Sequence, residues 1–208
     1  MKSMKIAATG GSGGPKVPEG QHPVYCISII DIGMQRKGGQ YPGIKPHIQM
    51  TFELPDVMVE FEGENGEKIK APAVIGRRFV SSMHKKSSLR KFIEELAGKK
   101  FAGDKEASDF DLSKLLGKMF MLNITHETKA DKTYANIMSA SPCPNKMKSD
   151  KPQHHESWLY SLAEPEPSMF MRFPAWLQKV IDGRVQPNSK ASAAPAGNPE
   201  DLNDDIPF

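Results

Sequence analysis

The spacing of apolar and polar residues predicts that most of this chain forms β-strands. Residues 24–30 are a β-branched, apolar run of strand length. In residues 46–54 apolar and polar positions alternate, the period of a half-buried strand, and a turn is expected at Pro55 and Asp56. Asn65-Gly66 predicts a tight hairpin turn, since this pair readily adopts positive φ. Strands are therefore expected at residues 24–30, 46–54, 57–61, 67–69, 77–83, 118–126 and 132–140.

The patterns predict few helices. An amphipathic helix is expected at residues 88–97, where apolar residues recur at helical spacing. Ser88 is expected to cap its N-terminus and Gly98 to end it. Further elements are expected at residues 111–116 (helix), 158–160 (strand) and 173–181 (helix).

This order of elements predicts a mainly β fold, a five-stranded oligonucleotide-binding (OB) barrel with one helix inserted before the last strand pair. Residues 1–20 are rich in Gly and Pro and are expected to be a flexible N-terminal arm. Residues 21–183 are expected to form the barrel domain, with a C-terminal extension from about residue 152. Residues 184–208 are expected to be a disordered linker that ends in an acidic tip.

The composition indicates the cellular compartment in which the protein is expected to work. The 208 residues contain two cysteines and no Cys-x-x-Cys pair, which favours a reduced, cytoplasmic protein. We expect no membrane segment, since no apolar run approaches the roughly 20 residues that a span requires, and no signal peptide. The twelve methionines are interpreted as adaptable core filler.

Charge is unevenly distributed along the chain. The net charge is only +3, but residues 77–100 contain eight basic and two acidic side chains, while residues 187–208 contain four acidic and one basic. A basic strand and helix are typical of a surface that binds phosphates, although such runs are often merely solvated. Phosphate contacts are predicted for Arg36, Lys37, Arg77, Arg78, Lys85 and Lys86, and stacking on bases for Tyr25, Phe79 and Tyr134. Tyr134 is the strongest stacking candidate because Lys132, Tyr134 and Asn136 share one face of a predicted strand.

The last five residues, Asp204, Asp205, Ile206, Pro207 and Phe208, follow a linker whose residues 187–199 contain no large apolar side chain. They closely resemble the carboxy-terminal tip of bacterial single-stranded DNA-binding proteins. The resemblance implies that the tip binds partner proteins of DNA replication and repair. The terminal Phe would fill an apolar pocket and its carboxylate would meet a basic residue.

The body of the chain, from about residue 19 to 180, resembles a group of bacteriophage-encoded single-stranded DNA-binding proteins. The resemblance rests on IIDIGMQ at 29–35, FELP at 52–55, SSLR at 87–90, FDL at 110–112, LLGK at 115–118 and YANI at 134–137. It implies a protein without enzymatic activity that coats single-stranded DNA, with little sequence preference, during phage replication or recombination in the cytoplasm of a bacterial host. The sequence does not determine the oligomeric state, and a homo-oligomer is compatible with it.

No cofactor or metal is expected. The glycine-rich start has no preceding strand and lacks a Ser or Thr after Lys16, so it does not match a phosphate-binding loop. His154 and His155 are adjacent and would point to opposite faces of a strand, which argues against a metal pair. The acids between residues 104 and 111 lack the companions that a nuclease needs. Two alternatives stay open: an interaction module that mimics the host tip to divert host replication proteins, and a protein that anneals single strands.

Overall fold

The structure is a computed structural model of the chain, and it describes residues 17–37, 43–62, 67–130 and 132–186. The described residues include the end of the arm predicted for residues 1–20. Residues 187–208, with most of the predicted linker and the whole acidic tip, lie outside the described residues.

Six strands and four α-helices make up the described part of the chain. In chain order they are β1 (Gly20–Lys37), β2 (Gly43–Glu62), β3 (Lys68–Val80), α1 (Ser88–Ala97), α2 (Asp104–Ser108), β4 (Met119–Lys129), β5 (Lys132–Pro142), β6 (Trp158–Tyr160), α3 (Pro167–Phe170) and α4 (Ala175–Asp182). Two 3-10 turns lie at Leu112–Leu115 and Asn145–Met147. The helices predicted at 88–97 and 173–181 are confirmed as α1 and α4, whereas α2 and α3 were not predicted. Strands are confirmed at the predicted places with different bounds: the strands predicted at 46–54 and 57–61 are the single strand β2, and those predicted at 67–69 and 77–83 belong to the single strand β3, which ends at Val80.

Local details differ from the prediction at three places. The cap of α1 is Ser87, not Ser88, and its hydroxyl accepts a hydrogen bond from the backbone N–H of Arg90 at 3.2 Å. No turn interrupts β2 at Pro55, because the strand absorbs the extra residues as an irregularity between Leu54 and Met58 and continues. The helix expected at 111–116 is the 3-10 turn at Leu112–Leu115.

The five long strands form an antiparallel sheet in the order β3-β2-β1-β4-β5. The short strand β6 joins the sheet as a parallel neighbour of β1, with residues 158–160 opposite residues 28–30. No ladder connects β3 to β5 among the described residues, so the sheet is open. The mainly β class is therefore confirmed in this coarser form.

The main core lies between one face of the sheet and α1. The face of β2 that the alternation predicts to be apolar is buried, with Phe52 fully enclosed. The Phe92 ring of α1 lies 5.9 Å from that of Phe52 and 4.9 Å from that of Phe79. Burial of such rings removes large apolar areas from water and is the main force that holds α1 on the sheet.

A second, smaller core lies on the opposite face of β1. Ile30 and Ile32 are buried there against apolar side chains from β6, α4 and the segment between them. We call residues 149–185, which contribute this layer, the C-terminal extension. It approaches β1 closely at Gly33, where φ is +76° and an added Cβ would lie 2.6 Å from Cδ of Arg184. Strand β1 is therefore covered by apolar side chains on both faces.

A buried carboxylate fastens the extension to the sheet. Glu53 of β2 is 0% exposed and accepts hydrogen bonds from the backbone N–H groups of His154, at 2.8 Å, and His155, at 2.7 Å. The Nδ1 atom of His155 lies 2.5 Å from the same carboxylate. Burial alone would raise the pKa of Glu53, but the hydrogen bonds from His155 and His154 outweigh it and hold the pKa below its ordinary value.

We predict that Glu53→Gln lowers the free energy of unfolding at neutral pH by about 1–3 kcal/mol, because a carboxamide offers one acceptor oxygen to the donors that now share two. A carboxyl whose pKa is lowered by folding stabilises the protein above its unfolded pKa, and this stabilisation is lost as the pH falls through the folded pKa. The difference between wild type and variant should therefore shrink in acid.

Urea unfolding at neutral pH and well below the ordinary glutamate pKa measures both effects. Glu67→Gln, at an exposed position just before β3, is the matched control and should have little effect at either pH. Equal stability of wild type and Glu53→Gln at neutral pH would contradict the anchoring role.

Candidate nucleic-acid interface

The predicted contact residues do not lie on one surface. Tyr25 of β1 stands opposite Glu53 of β2 and Met119 of β4. Its side chain is half-buried, and its hydroxyl donates a hydrogen bond to the carbonyl oxygen of Lys151 at 3.1 Å. Tyr25 therefore lies beside the C-terminal extension and contributes to its attachment.

Phe79 is a core residue, and the prediction that it stacks on bases is wrong. It is 2% exposed, lies opposite Ile48 of β2, and packs its ring against Phe92. The side chains of β3 alternate between the two sides of the strand, and this alternation directs Phe79 into the main core. A base could reach this ring only if the core opened.

Arg77 shares the inward side of β3 with Phe79. Its guanidinium carbon lies 5.1 Å from the centre of the Phe79 ring and 5.4 Å from that of Phe92. Its Nη1 donates a hydrogen bond to the carbonyl oxygen of Ile137 in β5 at 3.1 Å. Burial lowers the pKa of Arg77, and the charge of Glu95 opposes this shift. Arg77 thus connects β3 to β5, a role that the sequence did not predict, and its phosphate contact stays a prediction.

Arg78 points to the other side of β3, opposite Gln49. Its side chain is half-buried and the Nε and Nη2 atoms are enclosed. Arg36 is exposed near the end of β1, where Lys37 pairs through its backbone with Gly43. The side chain of Lys37 lies outside the described part of the structure.

The turn between β3 and α1 carries Lys85 and Lys86, both exposed. The Nζ atom of Lys85 lies 3.8 Å from a carboxylate oxygen of Asp104. Arg90, from the same basic segment, is 4% exposed and has a structural role. Its guanidinium donates to Glu94 at 3.1 Å, to Asp104 at 2.7 Å and to the carbonyl oxygen of Met83 at 3.3 Å. Part of the positive charge counted in the sequence is thus neutralised within the protein.

Tyr134 lies on β5 opposite Glu127 of β4. The predicted alternation is confirmed, because Ala135 packs against the main core and Ile137 is buried in it, while the side chains of Tyr134 and Asn136 are half-exposed. The structure adds a neighbour that sequence reasoning missed, since Met138, 64% exposed, lies just beyond Asn136 at the irregularity of the β4–β5 register between Ile137 and Ser139. No signal in the sequence distinguishes this methionine from those expected in the core.

Among the described residues, no group of three or more His, Cys, Asp or Glu side chains is arranged to hold a metal ion. No helix within the described ranges is long and apolar enough to cross a membrane. His154 and His155, the adjacent pair in the sequence, are the donors that hold Glu53.

Comparisons of the chain with protein-family models, with curated proteins and with solved structures found no match. The function must therefore be inferred from the residues of this chain and their geometry.

We predict that two ring removals differ in the size of their effect on stability. Phe79→Leu should lower the free energy of unfolding by about 1–3 kcal/mol, because it leaves a void against Phe92. Tyr134→Leu, at a half-exposed position, should change it by less than about 0.5 kcal/mol. Urea unfolding of the two variants beside wild type provides the comparison, and a larger loss for Tyr134→Leu would contradict the burial pattern.

Proposed function

We propose that this chain is a sequence-nonspecific single-stranded DNA-binding protein without enzymatic activity, and that β1–β5 form an OB barrel. The observation that carries the proposal is the sheet order β3-β2-β1-β4-β5 with α1 inserted between β3 and β4. An OB barrel that is opened between its third and fifth strands has this order. The Arg77–Ile137 hydrogen bond supports closure at that seam, since it brings the two outer strands of the sheet together.

The exposed residues suit a single strand rather than a duplex. Lysines at the β3–α1 turn offer mobile positive charge for phosphates, and Tyr134 offers a ring on which a base can stack. Neither type of contact reads the edge of a base, so little sequence preference is expected. A duplex keeps its bases stacked inside and cannot use the ring.

The biological setting follows from the resemblances in the sequence. We place the protein in phage DNA replication or recombination within a bacterial host, where it coats and protects single strands. The five-residue tip, Asp204 to Phe208, recruits replication and repair proteins to the coated strand.

Fluorescence anisotropy of a labelled oligothymidine with the full-length protein, at low and high salt, tests the proposal. Salt-sensitive binding that an unlabelled duplex does not displace is the expected result. Absence of binding at low salt would reject it and favour the interaction module. Binding accompanied by faster pairing of complementary strands would identify an annealing protein instead.

Two variants should weaken binding in distinguishable ways. Tyr134→Leu should cost about 1–3 kcal/mol of binding free energy and leave the salt dependence unchanged, because stacking releases no counterions. Lys86→Ala should reduce the slope of log affinity against log salt by roughly 0.7, the value for one phosphate contact to a single strand. Lys179→Ala, an exposed lysine of α4 in the extension, is the control and should leave both quantities unchanged. An unaltered affinity for Tyr134→Leu and Lys86→Ala would remove both residues from the interface.

The tip should act independently of the DNA surface. Deletion of residues 204–208 should abolish capture of replication proteins from a bacterial extract, while the affinity for oligothymidine is maintained or increased because the deletion removes the two negative charges of Asp204 and Asp205, which repel phosphates.

Pull-down from the extract and anisotropy on the same preparations measure the two activities. Substitution of Phe208 by Ala keeps both aspartates and is the matched control, which should also lose capture. A large loss of DNA affinity after the deletion would contradict this division of roles.

A further inference from the structure

The C-terminal extension occupies the side of the sheet opposite the main core along most of β1. Its contacts begin at Tyr25, which donates to the Lys151 carbonyl at 3.1 Å, and reach Gln35, which donates to the Val180 carbonyl at 3.1 Å. Between these points lie the buried Ile30 and Ile32. A strand of DNA could reach this part of β1 only by displacing the extension.

The extension also covers part of β2. Glu53 is enclosed by residues 154 and 155, and the Asp56 carboxylate accepts a hydrogen bond from Ser149 at 2.9 Å and lies 3.4 Å from Nζ of Lys151. The charge of the extension is almost balanced, since residues 149–185 contain four basic and five acidic side chains. The extension therefore offers no row of basic side chains that could bind phosphates in place of the part of the sheet that it covers.

The β4–β5 hairpin presents the contrasting surface. We call its solvent-facing side the hairpin face, formed by Asn123, Thr125, Glu127, Tyr134 and Asn136, together with Met138, which is exposed beside them at the irregularity between Ile137 and Ser139. Each of these side chains is half-exposed or exposed. A ring, a flexible thioether and polar groups exposed along one hairpin can contact successive unpaired bases.

The carboxylate of Glu127 on the hairpin face would repel phosphates, but its negative charge is partly compensated. The Glu127 carboxylate accepts a hydrogen bond from Nδ2 of Asn136 at 3.1 Å and lies 3.5 Å from Nζ of Lys129. Lys132 is exposed at the end of the same hairpin. The edge of the hairpin face is thus basic, and Glu127 orients the Asn136 amide.

Strand β5 contacts the strand that precedes the basic turn between β3 and α1. Arg77 contacts the carbonyl oxygen of Ile137, the residue before Met138. Three residues beyond Arg77, β3 ends at Val80, and the turn with Lys85 and Lys86 follows. The residue that precedes Met138 is therefore in contact with the strand that continues to these lysines.

We propose that single-stranded DNA runs along the hairpin face, with its bases against Tyr134 and Met138, and then to Lys86, and that the C-terminal extension excludes it from β1 and the adjoining part of β2. This inference rests on the proposed function and specifies where the strand binds. It assigns base contact to Met138 and removes Tyr25 from the predicted stacking set.

Two methionines provide a matched test. Met138 on the hairpin is 64% exposed and Met171 in the extension is 65% exposed, so neither substitution by Ala should affect folding. Met138→Ala should weaken oligothymidine binding by about twofold to tenfold, the range expected for loss of a thioether contact with an aromatic ring. Met171→Ala should leave it unchanged. Equal affinities of both variants and wild type, or a loss only with Met171→Ala, would overturn the inference while the proposed function stands.

Photo-crosslinking locates the strand directly. Oligothymidine with 5-bromouracil in place of single thymines, irradiated in complex with the full chain and digested, should crosslink to peptides that contain Tyr134 or Met138. Crosslinks confined to Tyr25 or to residues 149–185 would overturn the proposed path. Failure of the wild-type protein to bind this oligonucleotide at low salt would instead overturn the proposed function, so the two failures are distinguishable.

Discussion

The arrangement of this protein depends on one buried carboxylate. Glu53 has no exposure to solvent, and burial of an unpaired charge would be strongly unfavourable. It is tolerated because residues 154 and 155 supply N–H donors to both of its oxygens. This requirement fixes the chain just before β6, so that β6 can pair with β1 and the side chains of α4 can bury Ile30 and Ile32. A polar contact thus determines where an apolar layer forms, and thereby which face of the sheet stays open.

The basic residues divide between two roles. Arg90 is enclosed and connects α1 to Glu94, Asp104 and the carbonyl of Met83, and Arg77 joins β3 to β5. Guanidinium groups suit such positions because several fixed donors can serve several acceptors at once. The described lysines, in contrast, are mostly exposed, at turns as well as on strands and helices. A strong local charge in the sequence therefore overstates the charge that is presented to a ligand, and the proposed interface relies on stacking as much as on phosphate contacts.

Most of the fold could be predicted from local patterns in the sequence. The helix α1 and the alternating strands were predictable because spacing along the chain determines which side chains share a face. Phe79 was misassigned because Arg77 occupies the same inward side of β3, which makes that side look polar in the sequence. The role of Glu53 could not be predicted, since its donor His155 lies 102 residues further along the chain. Tyr134 and Asn136 were identified by alternation, whereas Met138 was missed because methionine is common in cores.

On the proposed path, single-stranded DNA binds along the open hairpin while the extension remains in place. Amide hydrogen exchange with and without saturating oligothymidine tests it most directly, because it reports on every region in one experiment. With DNA bound on this path, amide exchange is expected to slow in β5 and in the turn at residues 81–87, and to stay unchanged across residues 149–185. Faster exchange throughout the extension upon DNA binding, with no change in the hairpin, would contradict it.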